Sequence, residues 1–257
     1  MNDKKKETKG HYHPVTIAIR KINEIFGDLG FDIVDGPEIE TEYYNFDALN
    51  VPADHPARDM WDTFWLKDNK KESRNTKSEA RRLLRTHTSP VQIRFMETHT
   101  PPFAIIVPGK TFRYEATDAT HEAQFHQLEG LMVGENVTLA TMRGVLTHFL
   151  SAFFDDGSGG EMDIRMRPGY FPFVEPGVEV DMRRPEGQKG SSGDNLWIEV
   201  MGAGMVHPKV LEGLGIDSRK FQGFAFGVGI DRLIMLKTGI PDVRMLYSGD
   251  IRVVNQF

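Results

Sequence analysis

One stretch constrains the fold of this chain more than any other: residues 108–133, in which two runs alternate with a period of two. The runs begin at Thr111 and Phe125, and a polar segment rich in Thr, Asp and His separates them. This pattern predicts a β-hairpin with a long loop. Because residues two apart on a strand share a face, Phe125, Gln127 and Glu129 are expected to project together.

The same parity places Arg113 and Glu115 together on the first strand of the hairpin. One face would then carry a guanidinium, two carboxylates, an amide and an aromatic ring, which is not the composition of a core. It predicts the floor of a site for a ligand with an anionic part and a flat ring. The alternative is a solvated ladder of ion pairs, which are common and weak on protein surfaces. Recurrence of the pattern elsewhere in the chain disfavours that alternative.

Length and composition narrow the class of protein. A chain of 257 residues with 39% hydrophobic content can bury a full core. It holds no cysteine and no apolar run of membrane-spanning length, which fits a cytoplasmic protein and excludes disulfide scaffolds. The net charge of −6 is unusual for a protein that grips nucleic acid unaided. Only residues 67–85 are clearly basic, with eight Lys and Arg against three acidic residues, and a solvated loop explains them.

The N-terminal half of the chain predicts a tail, a helix and two strands. Residues 1–10 are Lys-rich and are expected to be disordered. A helix should follow Pro14 and close at Gly30, and residues 31–46 are interpreted as a strand that contains Pro37. Pro belongs at a strand end or sheet edge.

A second strand is predicted around His87 and Ser89, two residues apart and therefore on one face, with Pro90 ending the pairing. A His at such a position is usually a satisfied structural residue. Trp61 lies upstream in a segment dense in aromatics and turn formers. It belongs either to the core or to a site.

The C-terminal half predicts further strands and two helices. Asn136 is expected to cap an apolar helix, and residues 162–182 are interpreted as strand-like, with Phe171, Phe173 and Glu175 on one face. Two rings that face a cavity suit an aromatic ligand, although ordinary core packing is a serious alternative. Glu199 then precedes a Gly-Ala-Gly turn that lets a ligand approach the backbone.

The last signal is a glycine-rich run that opens a helix. Gly227 and Gly229 precede the helix, and Gly239 closes it. Arg232 falls in the first turn, where the helix dipole disfavours a cation. A bound anion beside the helix start would account for an Arg there.

These motifs resemble a known family. F-R-x-E followed by FHQLEG resembles motif 2 of the class II aminoacyl-tRNA synthetases, the helix, strand and Pro37 resemble motif 1, and GFAFGVGIDRL resembles motif 3. With RTHTSP and YFPFVEPG, the chain is similar to the phenylalanyl-tRNA synthetase alpha subunits of bacterial type over residues 11–257. The resemblance implies an α+β fold, an antiparallel sheet flanked by helices, and a motif 1 subunit interface.

The resemblance also implies an activity: ATP-dependent conversion of L-phenylalanine to its adenylate, and transfer of the phenylalanyl group to tRNA(Phe). By resemblance, Arg113 would hold the α-phosphate of ATP. Phe125 would stack on adenine, and Glu115 would accept a hydrogen bond from the adenine amino group. His121 and Arg232 would contact the outer phosphates. The residues implied for the amino acid are Trp61, His87, Ser89, Gln127 and Glu129 at its head group, and Phe171, Phe173, Val174 and Ala225 around its ring. Glu175 and Glu199 are the candidate Mg²⁺ ligands, on charge and position.

Partners and domain limits follow from the same resemblance. Residues 11–257 are expected to form the catalytic domain, working beside a larger beta subunit in an (αβ)₂ heterotetramer. The N-terminal coiled-coil arm of bacterial members, which contacts tRNA, is expected to be absent, because only ten polar residues precede the domain. Two alternatives remain open at this point: a related enzyme that adenylates an amino acid without charging tRNA, and a non-catalytic assembly module.

Overall fold

The structure, a computed structural model, describes residues 10–55, 58, 62–67, 81–155, 157, 161–183 and 197–256. In this part of the chain a seven-stranded sheet runs in the order β1-β4-β5-β9-β8-β7-β6. Every pairing is antiparallel except that of the short edge strand β1 with β4. The expected α+β arrangement, an antiparallel sheet flanked by helices, is therefore confirmed.

The sheet is built from strands β1 (Asp32–Ile33), β4 (Phe103–Phe112), β5 (Gln124–Gly134), β6 (Asp163–Phe171), β7 (Val174–Arg183), β8 (Ile198–Val206) and β9 (Gln222–Gly229). Two further strands, β2 (Ile39–Thr41) and β3 (Arg82–Leu84), form a separate antiparallel pair. The α-helices are α1 (Pro14–Asp28), α2 (Glu42–Asn45), α3 (Ser89–Met96), α4 (Leu139–Phe154), α5 (Pro208–Gly213), α6 (Ile230–Thr238) and α7 (Ile251–Val254). None of the helices that the structure describes is long and apolar enough to cross a membrane.

Two hydrophobic cores lie on opposite faces of the sheet, as the alternation along β4 demonstrates. Ile106 belongs to the core under α1, α4 and α6, whereas its neighbours Ile105 and Val107 belong to the core that contains α3. On β5, Leu128 faces the first core and Leu131 faces the second. Gln127 and Glu129 share the parity of Leu131, so they project toward the α3 side of the sheet.

Several sequence predictions are confirmed by the local geometry. α1 ends at Asp28, and Gly30 follows in the left-handed conformation with φ 80°. The β4–β5 hairpin forms, with its loop spanning residues 113–123. α6 starts after Gly229 and is closed by Gly239 at φ 77°, where a side chain would be strained.

Other predictions about elements were wrong. Residues 31–46 do not form one strand: they contain β1, β2 and α2, because Gly36 and Pro37 interrupt the backbone pairing. His87 and Ser89 do not lie on a strand, since Ser89 begins α3 with a proline in its first turn.

Two boundaries in the second half also differ from expectation. The N-cap of α4 is Thr138 rather than Asn136. The side chain of Thr138 accepts from the backbone N–H of Thr141, and the side chain of Thr141 accepts from the backbone N–H of Thr138. Residues 162–182 form a hairpin rather than one strand, because β6 ends at Phe171 and β7 begins at Val174. Residues 1–9 of the expected tail and most of the basic segment at 67–85 lie outside the described residues.

Candidate active site

A cavity of about 160 Å³ opens on the α3 side of the sheet. The central strands β5, β9 and β8 form its floor, and α3, α5 and the turn between β6 and β7 form its walls. Its lining residues are Leu49, His87, Ser89, Gln92, Met96, Arg113, Gln127, Glu129, Leu131, Phe171, Phe173, Val174, Gly202, Ala203, Val206, Val210, Ala225, Phe226 and Gly227. The polar members come from β5 and from residues 87–92 and 113, whereas the aromatic and aliphatic members come mainly from other elements.

Glu129 dominates the polar end of the cavity. Its Oε2 accepts hydrogen bonds from Ser89 Oγ at 2.5 Å and from Gln92 Nε2 at 2.8 Å. Burial raises the pKa of Glu129 to about 7, and the Ser89 and Thr88 hydrogen bonds and the Arg113 charge only partly oppose this rise. A carboxylate held in this way is suited to pair with a cation that enters the cavity.

Two neighbours of Glu129 are set up to meet a polar ligand. Gln127 Oε1 is buried and has no hydrogen-bond partner in the part of the chain that the structure describes. His87 is fully enclosed, and burial, with the charge of Arg113 as the next contribution, lowers its pKa to about 3. His87 is therefore neutral at physiological pH and adds no positive charge beside the Glu129 carboxylate and the Gln127 amide oxygen.

The other end of the cavity is aromatic. The Phe171 and Phe173 rings stack with their centroids 6.1 Å apart and an interplanar angle of 25°. Phe171 rests on Gly202, where an added Cβ would lie 2.8 Å from the ring atom Cζ. Ala225 sits on the floor opposite Gly204 of β8, so a small side chain leaves room for a flat ring. This end is suited to an aromatic side chain.

Arg113 and Glu115 do not lie on the first strand of the hairpin, as the sequence predicted, because β4 ends at Phe112. Arg113 is the first residue of the hairpin loop and lines the cavity. Its Nε donates to Thr86 O at 3.1 Å, and its Nη1 lies 3.9 Å from Glu115 Oε1. The guanidinium carbon lies 5.1 Å from the centroid of the Phe125 ring. Burial lowers the pKa of Arg113, yet an arginine stays protonated in proteins, so the site holds a fixed cation beside an aromatic face.

A second cation stands at the start of α6. Arg232 donates through Nε and Nη2 to the backbone oxygen of Glu199, at 3.2 and 3.0 Å. His121 sits in the hairpin loop, where its Nδ1 lies 3.0 Å from both carboxylate oxygens of Asp118. That loop is joined to the 3₁₀ helix Val243–Leu246, because Val243 N donates to Ala119 O at 2.8 Å.

The two candidate Mg²⁺ ligands, Glu175 and Glu199, are not neighbours in the sheet. In the β7–β8 register Glu199 pairs with Asp181, six residues from Glu175, which corresponds to roughly 20 Å of backbone along the strand. Glu175 instead pairs with His207 at 3.2 Å and is largely exposed. Among the described residues, no three His, Asp or Glu side chains cluster as metal ligands.

The structure brings together most of the residues that the sequence singled out. All eight described candidates for amino-acid binding line one cavity: His87, Ser89, Gln127, Glu129, Phe171, Phe173, Val174 and Ala225. Arg113 joins them, whereas Glu115, Phe125, His121 and Arg232 lie outside its lining. Trp61 lies outside the described residues.

Sequence reasoning missed Gln92 and the apolar residues Leu49, Met96, Val206 and Val210. Gln92 lies three residues after Ser89, and on a helix this spacing would have placed both on one face. The Ser-Pro pair at the helix start was the available signal.

The fold and the site define a class II tRNA synthetase core domain. The family described as "tRNA synthetases class II core domain (F)" matches residues 2–257. The crystal structure of pyrrolysyl-tRNA synthetase from Desulfitobacterium hafniense superimposes with a TM-score of 0.65 over 91% of this chain and 73% of that chain. Its sequence identity of 18% means that this likeness concerns the fold alone.

The nearer relatives narrow the class. The phenylalanine–tRNA ligase alpha subunit of Dehalococcoides mccartyi (strain CBDB1) is 49% identical over 251 residues, which cover 96% of this chain and 70% of that protein. The alpha subunit from Thioalkalivibrio sulfidiphilus is 48% identical over 258 residues, 98% of this chain and 71% of that protein. The one from Marinomonas sp. is 48% identical over 248 residues, with 96% and 69% covered. The chain belongs to the family of phenylalanine–tRNA ligase alpha subunits.

Proposed function

We propose that this chain activates L-phenylalanine with ATP and transfers the phenylalanyl group to tRNA(Phe), with residues 11–257 as the catalytic domain. One observation carries the proposal: a single cavity has a buried carboxylate and amide at one end and two stacked phenylalanine rings at the other. A free amino acid with an aromatic side chain has the matching polarity along its length. The family to which the chain belongs supports the same activity.

The polar end binds the head group. The substrate ammonium donates to the Glu129 carboxylate and to Gln127 Oε1, which has no other partner among the described residues. Ser89 and Gln92 hold the Glu129 carboxylate in place from α3. The ring of the substrate then extends along the Phe171–Phe173 pair toward Ala225, with Val174 beside it.

Arg113 connects the amino-acid cavity to the nucleotide. In adenylation a substrate carboxylate oxygen attacks the α-phosphorus, the bond to the bridging oxygen breaks, and pyrophosphate leaves. Arg113 holds the α-phosphate, Phe125 stacks on adenine and Glu115 accepts from the adenine amino group. A fixed guanidinium next to an aromatic face supports this assignment. Its contribution to rate is positioning and neutralisation of charge on the phosphorus oxygens.

The outer phosphates are assigned to Arg232 and His121. Arg232 stands at the N-terminus of α6 and is oriented by the Glu199 backbone oxygen. Positive charge at a helix start is unfavourable unless an anion offsets it. Asp118 orients the His121 ring through Nδ1.

Glu199 is the residue that fits Mg²⁺ beside these phosphates. Mg²⁺ usually binds through one or two carboxylates, with waters and substrate phosphates completing the shell. The Glu199 side chain is exposed next to Arg232, although Arg167 Nη2 now donates to its Oε2 at 3.1 Å. When bound, the ion supplies charge neutralisation on the phosphate oxygens. Glu199 holds it, and Arg167 orients the Glu199 carboxylate.

The transfer step calls for a partner. A net charge of −6 gives little electrostatic grip on tRNA phosphates, so we assign most tRNA binding to a larger beta subunit in an (αβ)₂ assembly. The absence of cysteine fits a reducing compartment, and we place the activity in the cytoplasm.

Phenylalanine-dependent ATP–pyrophosphate exchange tests the activation step, measured on this chain with and without a coexpressed beta subunit. Phenylalanine should support exchange, while leucine and tyrosine should be far weaker. Arg113→Ala should lower the exchange rate at least 100-fold, and the matched control Arg252→Ala, an exposed arginine paired with Asp250, should leave it unchanged. Failure of every amino acid to support exchange, with the beta subunit present, would refute the proposal.

A further inference from the structure

Asn50 contacts the turn that carries the two aromatic rings of the cavity. Its Nδ2 donates to the backbone oxygen of Pro172 at 2.6 Å, across 122 positions of the chain. Pro172 lies between Phe171 and Phe173, whose rings both line the cavity. A displacement of the Pro172 carbonyl therefore moves the backbone of the residues on either side.

The backbone of Asn50 is held in an uncommon conformation that directs this contact. Asn50 has φ 59° and ψ 32°, and it is the one non-glycine residue with positive φ among those the structure describes. Asparagine tolerates this left-handed region better than most residues, although glycine adopts it more readily. The backbone at residues 46–51 is closed by two hydrogen bonds: Asn50 N donates to Asp47 O, and Val51 N donates to Phe46 O, each at 3.1 Å. The conformation is thus fixed by the surrounding chain.

The turn between β6 and β7 is also held by His207, which lies between β8 and α5. Phe173 O accepts a hydrogen bond from His207 N at 2.9 Å. The Phe171 ring lies against Gly202, so it has no freedom to move toward the sheet. The β6–β7 turn therefore accepts two hydrogen bonds at adjacent residues, from the Asn50 amide to Pro172 O and from His207 N to Phe173 O. The placement of the two stacked rings at the aromatic end of the cavity depends on these contacts.

We infer that Asn50 is a positioning residue for substrate selection: its amide sets the placement of Phe171 and Phe173, and hence which aromatic side chains the cavity accepts. This inference rests on the proposed function, because it concerns the amino-acid end of the same site. Asn50 itself does not line the cavity, and its effect is transmitted through the Pro172 carbonyl. The neighbouring Leu49 is the member of that segment that lines it.

Three substitutions separate the roles of the amide, the backbone and the volume. Asn50→Gly keeps access to positive φ and removes the donor. Asn50→Asp keeps the size and much of the backbone tolerance but presents a carboxylate oxygen to the Pro172 carbonyl. Asn50→Ala removes the donor and also disfavours the backbone. Ile93→Val is the control for general destabilisation, because Ile93 is buried in the core that also contains Leu49 and does not line the cavity.

The assay is ATP–pyrophosphate exchange by the chain with its beta subunit, with kcat and KM for phenylalanine and ATP and a thermal melt for each variant. Asn50→Gly should raise KM for phenylalanine about 5- to 10-fold, the loss expected for one neutral hydrogen bond, with kcat and KM for ATP within 2-fold of the parent. Asn50→Asp should be at least as impaired. The preference for phenylalanine over para-chlorophenylalanine should narrow in both, and Ile93→Val should change only the melting temperature.

Three outcomes would overturn the inference. The first two are a parental KM for phenylalanine in Asn50→Asp, which would leave side-chain volume as the only role, and a parental KM for phenylalanine in Asn50→Gly. The third is an unchanged preference for phenylalanine over para-chlorophenylalanine. These outcomes are distinct from failure of the proposed function. If the proposed function is wrong, the parent protein itself shows no phenylalanine-dependent exchange, and the inference about Asn50 is then wrong as well.

Discussion

The binding of phenylalanine should depend on pH through Glu129. Burial raises the pKa of this carboxyl to about 7, so its charge changes within the physiological range. Only the ionised form offers a charge partner to the substrate ammonium. The other titratable group at this end, His87, has a pKa lowered to about 3 by burial and does not change charge near neutrality.

The size of the effect follows from the titration. For a pKa of about 7, the ionised fraction of Glu129 is roughly 9% at pH 6 and roughly 91% at pH 8. The value of kcat/KM for phenylalanine should therefore rise about 10-fold between these pH values and level off above. The free enzyme determines kcat/KM, so the midpoint reports Glu129 before substrate binds.

The assay is exchange from pH 5.5 to 8.5 at constant ionic strength, with Mg²⁺–ATP saturating so that titration of ATP does not enter kcat/KM for phenylalanine. Glu129→Gln serves as the matched variant, because an amide has nearly the same shape and does not titrate. Its activity should be lower by two or more powers of ten and should lack the rise. A rise of the same size and midpoint in Glu129→Gln, or a flat profile in the parent, would refute the argument.

The same carboxyl should appear in the pH dependence of folding. A carboxyl whose folded pKa lies above its unfolded value contributes stability that is fully present below the unfolded pKa and is lost as pH rises through the folded one. Between pH 4.5 and about 7 the parent should lose about 3 kcal/mol of unfolding free energy relative to Glu129→Gln. Urea unfolding of both proteins at several pH values measures this difference. Parallel curves would contradict the pKa of Glu129.

Three further predictions concern single contacts. Arg113→Ala should lower kcat of adenylate formation at least 100-fold with little change in melting temperature. The reason is that a charged contact to the α-phosphate contributes roughly 3 kcal/mol to transition-state stabilisation. A parental rate in single-turnover measurements would remove Arg113 from the mechanism. Ala225→Gly should allow para-chlorophenylalanine to bind and should weaken the binding of phenylalanine by only about 1 kcal/mol. Tyrosine should gain less in kcat/KM, because its hydroxyl finds no hydrogen-bond partner. An unchanged kcat/KM for para-chlorophenylalanine would show that Ala225 does not limit the size of the ring that the cavity accepts. Tyr247→Phe should lower the unfolding free energy by about 1.5–3 kcal/mol, because it removes the hydroxyl that donates to the buried Asp231 carboxylate; denaturant unfolding unchanged within error would contradict this.

Much of the site was predictable from local pattern. The period of two is a geometric property of an extended backbone, so the face shared by Phe125, Gln127 and Glu129 followed from spacing alone. The glycines around α6 likewise predicted the helix start that carries Arg232. These inferences needed no knowledge of what lies opposite the strand.

Other features depended on where the chain breaks, and local pattern left them ambiguous. His87 and Ser89 were wrongly predicted to lie on a strand, because a short apolar run with a proline suits a strand end and a helix start equally. Residues 162–182 were interpreted as one strand because a tight turn at 172–173 was not recognised, and the turn reverses the chain direction.

The sequence by itself determined which residue types face the same side of each element. Only the tertiary structure decided which elements meet, and with them the contacts of Gln92 to Glu129 and of Asn50 to Pro172. Both contacts join segments far apart in the chain. The physical reason is that backbone periodicity is a local property of the polypeptide. A pKa near 7 or the spacing of two rings depends instead on the total burial and hydrogen bonding that distant segments create together.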